Sequence, residues 1–94
     1  MTPIEEIAKE RARQIEVEGY STANDDNYNT QLRMAAIGHI LKSCGYHTDA
    51  GSFFPTTWNI ESLLKEKSDR RRLVVAAALL VAEIERMDRM GYIK

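Results

Sequence analysis

The sequence predicts an all-α domain, a small bundle with main helices over about residues 3–18, 30–43 and 69–90 and a short helix over about 60–67. Three observations carry that expectation. The run from Leu73 to Ala82, LVVAAALLVA, is apolar throughout and rich in alanine. Leu73, Ala77, Leu80, Ile84 and Met87 keep a helical register from that run into the charged tail. Finally, capping and stop residues stand where helices of these lengths would begin and end.

Thr2-Pro3-Ile4-Glu5 has the form of a helix start: a capping threonine, proline at the first helical position and a glutamate three residues after the cap. The helix is expected to run to about Glu18 and stop at Gly19. Ile4, Ile7, Ala8, Arg11 and Ile15 share the face expected to turn inward, with the Arg11 stem lying along the core. Arg11 and Arg13 are expected to pair with neighbouring glutamates. Tyr20 to Asn29, YSTANDDNYN, is a polar connector with Asp25-Asp26 at its centre. Those carboxylates can cap the next helix or ligate a hard cation.

The second helix, about Thr30 to Ser43, should turn Leu32, Ala35, Ala36 and Ile40 inward, joined by Met34, Ile37 and Leu41, and end at Gly45. His39 is expected at the helix surface or partly buried. Cys44, the single cysteine, is expected to be a small core residue. Tyr46 to Trp58 is a long loop with Phe53, Phe54 and Trp58 around Pro55. These aromatics suit a lid over the core or a stacking platform for a purine base. Asn59 can cap the short helix, and Ser68 or Asp69 the long one, which Gly91 ends. Because the middle of the long helix is apolar all round, neighbours from this chain or another copy are expected to surround it.

Ninety-four residues make one domain that buries only about 60–65% of its unfolded surface, so self-association is a natural way to add burial. The net charge of −1 argues against general nucleic-acid binding or a basic membrane-binding surface. The apolar run covers only about 15 Å, half of the roughly 30 Å of a bilayer core. With no signal peptide and one cysteine, a cytoplasmic protein is expected.

Arg70-Arg71-Arg72, in the first turn of the long helix, form the leading candidate site. A helix N-terminus offers unpaired amides and partial positive charge, and guanidinium forks suit phosphate. Cations there oppose the helix dipole, a cost that an anion would offset. Successive residues point about 100° apart, so at most two of the three can serve one site. No phosphate-binding glycine loop, dinucleotide fingerprint, zinc spacing or Ser-His-Asp order is present.

The segments ERARQIEVEGY (Glu10 to Tyr20), Asp25-Asp26 and the arginine-to-arginine stretch from Arg71 to Arg89 together resemble a family of small phage and prophage proteins. Its members carry E-R-x-R-Q-I-x-x-E-G-[YW], H-D-D, a G-E-L-x-x-A-A helix, an aromatic-proline stretch and R-R-x-L-x-x-A-x-A-L-I-x-A-E-I-E-R-L-D-R. The likeness spans most of the chain but brings no established reaction with it. Asn24 stands where the pattern has histidine, and Thr30-Gln31-Leu32 where it has Gly-Glu-Leu. The helical layout is also similar to MazG-type all-α nucleotide pyrophosphohydrolases, and short fragments resemble ryanodine-receptor-repeat domains.

Residues and resemblance together lead to an expectation of a phage-type, non-enzymatic, homo-oligomeric binder of a small phosphorylated, nucleotide-like ligand, such as a sponge for a host immune signal. Arg70, Arg71 and Arg72 would engage phosphate; Trp58 with Phe53, Phe54 or Tyr20 would stack on a base; Asp25 and Asp26 would accept hydrogen bonds. Two alternatives stay open. One is a magnesium-dependent pyrophosphohydrolase using Glu10, Glu18, Asp25, Asp26 and Glu83. The other is an interaction module that inhibits a host protein.

Overall fold

The computed structural model describes residues 1–16, 31–46, 50, 52–54 and 67–91. Among them lie three helices and no strand: α1 (Pro3–Glu16), α2 (Gln31–Ser43) and α3 (Asp69–Arg89). The all-α expectation holds. The short helix expected at about 60–67 lies outside the described residues except for Lys67, which is not helical. The stop at Gly19 lies outside them too.

The helix ends follow the local chemistry of the sequence. Thr2 N–H donates to Glu5 Oε1 at 2.9 Å and Glu5 N–H to Thr2 Oγ1 at 3.2 Å, a reciprocal capping box. Ser68, rather than Asp69, caps α3, its Oγ accepting from Arg71 N–H at 3.1 Å. Gly45 at φ 92° and Gly91 at φ 74° take the left-handed conformation that ends α2 and α3.

Both α1 and α2 pack on α3, which is therefore the central element. The apolar core lies between α2 and α3: Leu32, Ala35 and Ala36 meet Val75, Ala76, Leu79 and Ala82, with Phe54 closing one side. Small side chains on both helices let the backbones approach. Gly38 extends that logic, since a Cβ there would stand 2.9 Å from Phe54 Cζ and 3.2 Å from the Ala50 carbonyl oxygen.

Several expected faces are corrected. In α1 the apolar face points outward: Ile4 is 80% exposed, Ala8 and Ile15 are exposed, and Ile7 is half-buried. The inward face is polar, carrying Glu10, Arg11 and Gln14. The reason is the partner surface, since α1 meets the arginine-bearing start of α3 and glutamates suit it better than isoleucines. In α2 the inward stripe is Leu32, Ala35, Ala36 and His39, so Ile40, Met34 and Ile37 are exposed and Leu41 is half-buried. Gly38 brings the Phe54 and Ala50 side of that helix close and rotates the isoleucines away. His39 is buried and Cys44 is exposed, the reverse of what the sequence suggested. Among the described residues α1 and α2 cover the apolar run of α3, and Leu73, Leu80 and Val81 stay exposed, as does Ile84 beyond it. Among the described residues no helix is long and apolar enough to cross a membrane.

Candidate functional site

The three arginines at the start of α3 diverge. Arg70 forks onto the Glu6 carboxylate of α1, at 2.8 and 2.5 Å. Arg71 donates to Glu10 of α1. Arg72 turns inward, 2% exposed, and its Nη1 lies 2.9 Å from His39 Nδ1 on α2. His39 therefore serves as a neutral acceptor, and its ring meets Phe54 edge-on at a centroid distance of 5.0 Å. Burial, with help from the Arg72 and Lys67 charges, pushes the His39 pKa down to about 3.

Glu10 is the organising residue. It is 1% exposed, yet both oxygens are engaged: Oε1 accepts from Arg13 Nε at 2.8 Å and from Arg71, while Oε2 accepts from Arg13 Nη2 at 2.7 Å and Gln14 Nε2 at 3.2 Å. Burial alone would raise its pKa. The hydrogen bond and charge of Arg13, the charge of Arg71 and the Gln14 amide outweigh that effect and hold it below the usual value. Donating to Glu10 fixes the orientation of the Gln14 amide and leaves its buried Oε1 without a hydrogen bond.

The two guanidiniums bound to this hidden carboxylate are not hidden themselves. Side-chain exposure is 37% for Arg13 and 41% for Arg71. They open onto a groove of about 290 Å³ between α1 and the start of α3, lined by Met1, Glu6, Lys9, Glu10, Arg13 and Arg71. Three cationic side chains against two carboxylates leave the lining net positive. The groove adjoins the positive end of the longest helix described. A small anion is the ligand class that this arrangement attracts.

Of the sequence candidates among the described residues, Arg71 reaches this groove, and so does Glu10, which the magnesium-dependent alternative had named as a metal ligand. Arg70 is committed to Glu6, Arg72 to the interior, and Phe54 is a core residue against His39, with Phe53 half-buried beside it. Tyr20, Asp25, Asp26, Trp58 and Glu18 lie outside the described residues. Sequence reasoning missed Glu6, Lys9 and Arg13 as site residues, and did not join Glu10 to Arg71 in one site. Their signal was present: positions 6, 9, 10 and 13 form a charged stripe along one face of a helix. Arg13 does pair with a neighbouring glutamate as expected, whereas Arg11 reaches Glu85 on α3 at 2.9 Å.

Glu83 anchors a second polar cluster, between α2 and α3, where it accepts from Arg33 and Arg86, each at 2.6 Å. Glu10 and Glu83 thus each hold two arginines. Among the described residues no group of three or more His, Cys, Asp or Glu side chains could hold a metal ion.

Comparison with known proteins adds no family: no family model, curated protein or solved structure matches the chain.

Proposed function

We propose that the protein binds a small phosphorylated, nucleotide-like ligand without turning it over, in the groove between α1 and the start of α3. The observation that carries this reading is the buried Glu10 carboxylate aiming Arg13 and Arg71 at a partly open, net-positive groove. A guanidinium held by a carboxylate behind it loses little conformational freedom when it meets a phosphate in front. Lys9 adds a mobile charge, and the adjoining helix end adds field of the same sign. Glu6 and Glu10 repel an anion, which limits affinity and disfavours ligands that offer no donor groups beside their phosphate.

Of the triplet, Arg71 is the phosphate-binding member in this reading, while Arg70 pairs with Glu6 and Arg72 with His39. Tyr20, Trp58 and Phe53 are the candidate base-stacking residues, with Asp25 and Asp26 as acceptors for ribose or base. A phage-type protein that sequesters a nucleotide signal is the setting suggested by the resemblance of the Glu10–Tyr20 and Arg71–Arg89 segments.

Titration calorimetry with a panel of linear and cyclic nucleotides, followed by chromatography of the recovered ligand, tests the reading. Binding should appear in the micromolar range for at least one phosphorylated ligand, which is recovered intact. Arg71→Ala and Arg13→Ala should each weaken it by roughly tenfold, the loss of about one charge-assisted contact. Absence of binding across the panel at high micromolar ligand removes the proposal. Turnover with magnesium replaces it with the pyrophosphohydrolase alternative.

A further inference from the structure

The exposed side of α3 carries a pattern that the ligand groove does not use. Leu73, Ala77, Leu80, Ile84 and Met87 recur at alternating spacings of four and three, the seam of a two-helix coiled coil. Leu73 is 51% exposed, Leu80 40% and Ile84 58%, with Val81 exposed beside them and Ala77 and Met87 half-buried. The neighbouring helices leave this seam open. Through Glu6, Glu10 and Arg11, α1 takes the side of α3 that bears Arg70, Arg71 and Glu85. Through His39 and Arg33, α2 takes the side that bears Arg72 and Glu83. The seam faces neither.

We infer that this seam is an interface between two copies of the chain, packed with their α3 helices antiparallel. The flanking charges choose both the occupant and the direction. At 100° per residue, Arg70 and Asp88 fall on the same flank of the seam, and they lie equally far from Leu79 in opposite directions. An antiparallel pair with its two-fold axis near Ala78 and Leu79 sets Arg70 of each copy beside Asp88 of the other. Arg70 is forked onto Glu6 of its own chain, but its side chain is 64% exposed, so Asp88 would join that ion pair from the open side. In nearly the same register Leu73 of one copy packs on Ile84 of the second, and Ala77 on Leu80. A parallel pair about a two-fold along the helices would hold Arg70 and Asp88 at different heights and bring no Arg70 to an Asp88. Opposed helix dipoles also favour the antiparallel arrangement. Apolar and charged residues are therefore self-complementary about one point, the mark of an isologous contact.

The mass in solution, from light scattering or sedimentation at high micromolar concentration, should be twice 10.7 kDa or a multiple built from that pair. Leu80→Glu, at an exposed position, should leave the helical circular dichroism unchanged and weaken the pair by more than about a hundredfold, since it puts two charges at the apolar seam. Asp88→Arg should weaken it on the order of tenfold, because symmetry alters two contacts at once. In a Cys44→Ser background, the double variant Leu73→Cys with Ile84→Cys should oxidise to a covalent dimer, whereas either cysteine alone should not. A monomer at all concentrations, association indifferent to Leu80→Glu, or efficient cross-linking by a single cysteine would each overturn the inference.

Discussion

At the scale of single residues, helix propensity and packing pull in opposite directions at Gly38. Alanine is ordinarily favoured over glycine inside a helix by about 1 kcal/mol. Here the added methyl would stand 2.9 Å from the tip of the Phe54 ring and 3.2 Å from the Ala50 carbonyl. The carbonyl belongs to backbone, and the ring is 4% exposed and held against His39, so neither yields cheaply. Overpacking of this kind costs about 1–3 kcal/mol, more than propensity returns. Gly38→Ala should therefore destabilise the protein by about 1 kcal/mol in urea unfolding. Adding Phe54→Leu should make the alanine less harmful than it is alone, because the closest contact disappears. Gly38→Ala as a stabilising change in the wild-type background would contradict that account.

At the scale of elements, the three described helices, and those of their ends that fall among the described residues, were legible in the sequence, and the faces they bury were less so. Thr2, Ser68, Gly45 and Gly91 act locally, so their roles follow from neighbours a few residues away. Which face of α1 turns inward depends on what waits for it, and that is a long-range fact. Ile4, Ile7, Ala8 and Ile15 make a conventional apolar stripe, yet Glu10, Arg11 and Gln14 are the residues buried. The same gap separated Arg71 from Lys9 and Arg13, which meet only once α1 lies across the start of α3. Docking of α1 through charge has a measurable consequence. Glu10→Ala removes the acceptor shared by Arg13, Arg71 and Gln14. Removing one partner of a fully buried pair costs about 3–5 kcal/mol, but both guanidiniums here can turn to water, which reduces the expectation to about 2 kcal/mol. Amide hydrogen exchange should quicken selectively in α1 while α2 and α3 stay protected. The exposed Glu16→Ala on the same helix should leave exchange unchanged. An equal loss of protection in α2 would show that Glu10 supports the whole fold rather than the docking of one helix.

At the scale of the whole molecule, the buried polar groups set how stability responds to acid. In the folded protein His39 is surrounded by Arg72, Lys67 and the Phe54 ring, and its pKa lies near 3 against an ordinary 6.5; Glu10 pulls weakly the other way. Below about pH 6.5 the unfolded chain binds a proton at this position that the folded chain refuses. The contribution is therefore complete above that pH and is lost as pH falls towards 3, with a limiting slope of about 1.4 kcal/mol per pH unit for one proton. Glu5, Glu6 and Glu10 titrate in the same direction but later. The Thr2 hydrogen bonds lower Glu5, and the hydrogen bond from Arg70 lowers Glu6. Arg13 and its neighbours overcome burial to lower Glu10. Their contributions are present above the ordinary carboxylate value of 4.5 and disappear beneath it. The interval from pH 6.5 to 4.5 is thus where His39 acts ahead of the carboxylates. Urea unfolding across that interval should show stability falling with pH in the wild type. In His39→Gln, whose amide oxygen can still accept from Arg72, the decline should be flatter by close to one proton, while the steeper loss below pH 4.5 remains. Equal slopes in the two proteins would mean that the His39–Arg72 contact opens to solvent before the fold does.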